Sequence, residues 1–423
     1  MEPKQLLVES FRAAVAAADP LKILPSHLPQ PPAGRTLALG AGKAAASMAL
    51  AVENHWPANA PLDGLAITRY QHGLLTNRIK IIEAGHPVPD ESGEKAAREV
   101  LRLAKSLGPD DLLLALVSGG GSALLSLPLD GITMEELKAT TKELLRSGAP
   151  IQDMNTVRKH LSAIQGGRLA AATRARVLAL IVSDVTGDDP THIASGPCAP
   201  DPTTFRDALD VLARYGVQAP QGIVDYLERG ARGAAPETPK PGDKLFARVE
   251  NRIVATAQGS LRAAAAFFRE HGITPIVLGD SVTGEASEVA KVYGALVRQI
   301  KLHGEPFKPP VALISGGECT VTVRGSGRGG RCSEFLLGLA IDLTGLATVH
   351  ALAADTDGID GTEDNAGAVL APDSLARAER AGLNAKRLAA SNDAYRFFSA
   401  LGDLVVTGPT RTNVNDYRAI LVL

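Results

Sequence analysis

Short runs of Val, Ile, Leu and Ala alternate along this chain with longer stretches whose apolar positions recur at helical spacing. The apolar runs fall at residues 36–39, 112–117, 177–183, 252–255, 275–278, 311–314, 349–353 and 404–406. They are continuous instead of alternating, the pattern of strands covered on both faces in a parallel sheet. Amphipathic stretches at 43–52, 94–105, 134–147 and 285–300 lie between them. Strand and helix in alternation predict an α/β fold with two doubly wound, mostly parallel sheets.

The first twenty residues read as an amphipathic helix broken near Pro20. A polar stretch rich in Pro and Gly at 230–242, GARGAAPETPKPG, reads as a linker. It predicts an N-terminal domain over 1–240 and a C-terminal domain over 241–423. A length of 423 residues suits two or three domains.

Composition narrows the function classes. Hydrophobic residues make up 45% and charged residues 21%, which is globular and not disordered. The balance of 44 basic against 46 acidic residues predicts no nucleic-acid partner. A small anion held by a few local cations would leave that total unchanged. Cys198, Cys319 and Cys332 match neither a zinc spacing nor a disulfide framework and read as packing residues. The N-terminus lacks the features of a signal peptide, and no apolar run reaches the ~18 residues of a membrane span. The expected location is the cytoplasm, with no membrane partner.

In such sheets, ligands sit outside the carboxyl ends of strands. Five strand ends carry loops rich in glycine and polar groups. GAGKAA at 40–45 offers Gly42, for close approach of backbone to an anion, and the charge of Lys43. SGGGSALL at 118–125 places Ser118, Gly119, Gly120, Gly121 and Ser122 where a nest of amides suits phosphate or carboxylate. SDVTGDDPTHIASGP at 183–197 sets Asp184 and Asp189 as candidate Mg²⁺ ligands or a base. In the loop before residue 331, Gly325, Gly327 and Gly330 match G-x-G-x-x-G, the dinucleotide fingerprint. Its Arg324, Arg328 and Arg331 instead favour a phosphate-gripping loop that includes Gly329 and Gly330. The fifth loop, 355–368, crowds Asp355, Asp357, Asp360, Glu363 and Asp364 into ten residues. Metal or hydroxyl binding and a structural turn network are both open for it. Asn155, Arg158 and Lys159 form a basic cluster, and Glu318 follows a glycine pair. They are further candidates for binding substrate.

Nine motifs in order resemble the type II glycerate kinases, whose C-terminal region is called the MOFRL domain. They are GAGKAA, GHPVPDE, SGGGSAL, MNTVRKHLS, SDVTGDDPTHIASGP, SGGECTV, GRGGR, DTDGIDGTEDNAGA and TGPTRTNVND, the last holding Asn413. The resemblance implies a Rossmann-like N-terminal domain, a C-terminal α/β domain and an active-site cleft between them. It implies transfer of phosphate from ATP to the 2-hydroxyl of D-glycerate with Mg²⁺ or another divalent cation. Lys43 and Arg331 match the family's active-site cations, and a homodimer is the assembly considered. Two departures stand out. The family often has Asn-Gln where this chain has Cys332-Ser333, and Lys where it has Gln165. Members have also been named hydroxypyruvate reductases. An NAD(P)H-dependent reductase, resting on the glycine fingerprint, and a non-catalytic phosphate-binding sensor are the competing expectations.

Overall fold

The computed structural model describes all residues 1–423. The chain forms two compact units, Pro20–Val254 and Met1–Asp19 with Ala255–Leu423.

The first unit is built on strands β1 (Thr36–Ala41), β2 (Leu62–Arg69), β3 (Ile79–Ala84), β4 (Leu112–Ser118), β5 (Arg176–Val182) and β6 (Val249–Ala255). They form one sheet in the order β3-β2-β1-β4-β5-β6. The pairs β3/β2, β2/β1, β1/β4 and β4/β5 are all parallel. Strand order reverses between β1 and β4, the place in such a sheet where ligands bind outside the carboxyl ends of the strands. Every residue of β1 and β4 is buried, as their unbroken apolar runs predict. Local signals set the helix starts. Asp90 accepts from the Gly93 amide at 2.9 Å ahead of helix Glu91–Lys105. Thr133 and Glu136 form a reciprocal capping box on helix Met134–Arg146.

The second unit contains β7 (Thr274–Gly279), β8 (Gly284–Glu285), β9 (Val311–Ser315), β10 (Cys319–Thr320), β11 (Val349–Asp355), β12 (Gly367–Leu370), β13 (Leu404–Val405) and β14 (Asp416–Val422). Its main sheet runs β13-β12-β11-β14-β9-β7, with β8 and β10 paired separately. Only β7/β9 is parallel in the main sheet. The other four pairings are antiparallel, so this sheet is mixed and differs from the mostly parallel one expected. The inner strands β9, β11, β12 and β14 are buried on both faces whichever way they run. The apolar pattern therefore reports burial and leaves direction unspecified.

The division of the chain differs from the expected 240/241 boundary in two respects. The stretch read as a linker is tied into the first unit. Thr238 donates to Asp201 at 3.0 Å, the Asp201 amide donates to the Pro239 carbonyl at 2.8 Å, and Lys240 reaches the Thr203 carbonyl. The N-terminal helix Pro3–Ala16 belongs to the second unit. There Phe11 packs on Tyr417, whose hydroxyl bonds Ser10 at 2.8 Å. No helix is long and apolar enough to cross a membrane.

Candidate active site

In the first unit the GAGK and SGGGS loops are knitted together at the ends of β1 and β4. The Lys43 amide donates to the Gly119 carbonyl at 2.8 Å, and the Ala44 amide donates to Ser118 Oγ at 3.0 Å. Gly42 has φ +141°, and a β-carbon there would run into Ser118. Only glycine allows this approach. Beyond it, a β-carbon on Gly120 would stand 3.0 Å from His86 Nε2 and 3.2 Å from Lys43 Cγ. Lys43 and His86 therefore flank the second loop. His86 lay inside a motif, yet nothing in its spacing revealed that its imidazole meets this glycine.

Ser122 Oγ lies 2.8 Å from Ser195 Oγ, which donates to Asn155 Oδ1 at 3.2 Å. Ala194 and Ser195 both take positive φ without being glycine. That costs on the order of 1–3 kcal/mol per residue and accumulates at functional sites. Gln165, where the family often has Lys, donates to the carbonyls of Ser122 and Leu125 at 2.9 and 3.0 Å. The departure replaces a cation with an amide that braces the glycine loop from behind.

The basic cluster divides. Arg158 is half-buried and donates only to Asn155 Oδ1 at 3.4 Å, and burial lowers its guanidinium below the usual arginine range. Lys159, read as part of the same cluster, is 1% exposed and faces Asp201 at 3.4 Å. Helical spacing turns the two side chains in different directions. Asp184 follows β5 and is half-buried. Asp189 is exposed and accepts from the Thr191 amide at 2.9 Å, closing its own turn. No three His, Cys, Asp or Glu side chains in the chain are grouped to hold a metal, and Asp184 and Asp189 belong to no such set.

In the second unit, Arg331 opens helix Arg331–Leu343 and is enclosed by carboxylates. Its Nε donates to Asp416 Oδ1 at 2.8 Å and its Nη2 to Asp355 Oδ2 at 2.7 Å, while Nη1 lies 3.1 Å from Glu318. Burial opposes its charge, yet Asp416, Asp355 and Glu318 hold the guanidinium well above its ordinary value. A guanidinium has five N–H donors, so two remain beyond these three contacts.

The fingerprint glycines have another use. β-Carbons on Gly325 or Gly327 would collide with Ser391, and the backbone of 324–328 is fastened to Asn392 and Asp393. Gly330 leaves room for Asp360, whose carboxylate takes the amides of Cys332 and Ser333 at 2.9 Å each and the Ser333 hydroxyl at 2.6 Å. This helix start already carries an anion, which explains the Ser333 departure. Arg328 is likewise committed, to Glu363 at 2.8 Å and to the Tyr395 ring.

The acidic loop resolves into a turn network. Asp355 meets Arg331, Asp357 accepts from the Ile359 amide at 2.9 Å, and Asp364 accepts from Tyr395. Asn413 is buried and accepts from the Asn415 amide at 3.4 Å. Gly329, at φ +141°, precedes the helix start.

One carboxyl here titrates near neutrality. Burial and the nearby charge of Glu285 raise Glu334 to about 7. Its folded form therefore holds a proton that the unfolded chain releases near 4.5. Stability contributed by this group is highest below that lower value and falls as pH rises toward 7. Glu334→Gln is expected to abolish this decline and to raise stability at pH 8 by as much as ~3 kcal/mol. Denaturant titrations at pH 5 and pH 8 check it, and an unchanged pH slope in the variant refutes it.

A domain of unknown function, DUF4147, matches residues 6–228, and the MOFRL family matches residues 311–416. A protein of Agrobacterium vitis bearing a hydroxypyruvate reductase name is 49% identical over 99% of this chain and 94% of its own. The glycerate 2-kinase of Pyrococcus horikoshii is 39% identical over 90% of this chain and 86% of its own. The crystal structure of glycerate kinase from Thermotoga maritima superposes with a TM-score of 0.87 at 36% identity, covering 99% of both chains. The chain belongs to the glycerate kinase family that joins a DUF4147 domain to a MOFRL domain.

Proposed function

We propose that this protein transfers a phosphoryl group from ATP to the 2-hydroxyl of D-glycerate, giving 2-phosphoglycerate and ADP. The observation that carries the reading is the pair of knitted glycine loops at the ends of β1 and β4, flanked by Lys43. Phosphoryl transfer asks mainly for positioning and charge neutralisation. Amides of Gly119, Gly120 and Gly121, with Ser118 and Ser122 fixing the loop, suit the nucleotide phosphates. Lys43 neutralises the charge on the transferring group. Arg158, desolvated and without a carboxylate partner, suits a substrate anion. The two uncommitted donors of Arg331 suit another. Asp184, half-buried just past the end of β5, orients the 2-hydroxyl.

Mg²⁺ keeps several waters and uses one or two carboxylates plus substrate phosphates. The carboxylates present fit an ion that arrives on the nucleotide and not a resident cage. Asp184 would hold it, and the ion would draw charge from the phosphates. In the second unit Asp355 and Glu318 hold Arg331, and Asp357 and Asn413 are further candidates for binding substrate there.

The reductase reading rested on the glycine fingerprint, and Gly325 and Gly327 pack against Ser391 while Gly330 packs against Asp360. Purified protein supplied with ATP, Mg²⁺ and D-glycerate is expected to release ADP and 2-phosphoglycerate. Nicotinamide oxidation with hydroxypyruvate, in the absence of any ADP formation, defeats the proposal.

A further inference from the structure

We infer that Arg418 is a positioning residue for Arg331, acting through Asp416. The inference rests on the functional reading above, which uses Arg331 but assigns Arg418 nothing.

Asp355 and Asp416 lie directly opposite each other where β11 pairs with β14. Both are essentially buried, at 3% and 1% exposure. Like charges opposite one another destabilise a sheet, so this pairing requires cations on it. Arg331 supplies one and bonds both carboxylates. Arg418 supplies the other from β14 itself, donating to Asp416 Oδ2 at 2.6 Å. The two oxygens of Asp416 are thus divided between two guanidiniums.

Arg418 is 0% exposed and fixed from several sides. It donates to the Gly316 carbonyl at 2.8 Å and lies 3.1 Å from Cys319 Sγ, and its guanidinium sits 5.4 Å from the centre of the Phe335 ring. Gly316 begins the turn that carries Glu318, the third carboxylate on Arg331. One buried side chain therefore sets both Asp416 and the backbone leading to Glu318. It cannot meet substrate, so any effect on turnover passes through Arg331. A fork is needed for this: lysine keeps the charge but cannot bond Asp416 and the Gly316 carbonyl in the same plane.

The test is a double-mutant cycle with Arg331→Lys and Arg418→Lys, reading kcat, KM and melting temperature. Supporting side chains behind an active group typically change activity by about 10- to 100-fold. Arg418→Lys is expected to lower kcat roughly tenfold in the native chain and less than about twofold when Arg331 is already Lys, because residues acting as a unit are not additive. Asp416→Asn, nearly isosteric, is expected to show the same coupling, and it decides the matter should Arg418→Lys fail to fold. Equal losses in both backgrounds, or an unchanged kcat in folded Arg418→Lys, overturn the inference, since a purely structural role predicts them. Wild-type turnover with glycerate is measured first. Its absence defeats the functional reading, whereas its presence with additive losses defeats only this one.

Discussion

Lys43→Ala is expected to lower kcat by about 10²–10³ while leaving the melting temperature nearly unchanged. The separation of the two effects follows from how the loop itself is held. The loop is held by backbone groups, the amides of Lys43 and Ala44 meeting Gly119 and Ser118. Truncating the side chain keeps every one of these. What it removes is a cationic side chain whose stem lies beside Gly120. If that charge acts on the transition state, kcat carries the loss; if it only holds ground-state ATP, KM rises and kcat stays. Steady-state rates over a range of ATP and glycerate, with thermal unfolding alongside, separate these outcomes. A folded variant with wild-type kcat removes Lys43 from the chemistry.

Much of the first unit was legible in the sequence because its signals are local. The apolar run at 112–117 became β4, and the helical stretch at 94–105 became Glu91–Lys105 with Asp90 as its cap. GAGK and SGGGS declared themselves as strand-end loops. Their direct bonding could not be read, because it depends on β1 and β4 being neighbours in the sheet. Strands β2 and β3 escaped notice where Gly64 or charged residues interrupt the apolar run. In the second unit the gap is wider. Burial made β11 and β14 apolar, but which strand each pairs with is decided by long-range contacts. The glycine fingerprint is ambiguous in the sequence for the same reason. Its spacing is local, whereas its meaning comes from Ser391, Asn392 and Asp360, all distant in sequence. Composition also misread 230–242. Proline and glycine mark a chain that cannot be helix or strand, yet Glu237 lies 2.9 Å from His160 and Thr238 bonds Asp201, so the segment is a strap.

Arg331→Ala, by contrast, is expected to damage both activity and stability. Two carboxylates, Asp355 and Asp416, face each other across β11 and β14 almost out of water, and Glu318 completes a set of three on one guanidinium. With Arg331 gone, Arg418 still bonds Asp416, but Asp355 loses its cation. Removing one partner of a buried ion pair costs about 3–5 kcal/mol, because the remaining charge stays desolvated. Chemical denaturation should show a loss of that size, while kcat falls by at least about 10² from the missing charge. The contrast with Lys43 is the informative part. The loop that carries the lysine is held through backbone bonds, whereas the arginine side chain is itself a structural element. Two controls sharpen the reading. Arg331→Lys restores a cation without the fork, so it should recover part of the stability and little of the turnover. A variant Arg331→Ala that unfolds within about 1 kcal/mol of the native chain would mean that the three carboxylates do not depend on it. In that event, holding Arg331 rigid could not be the purpose of the cluster around it.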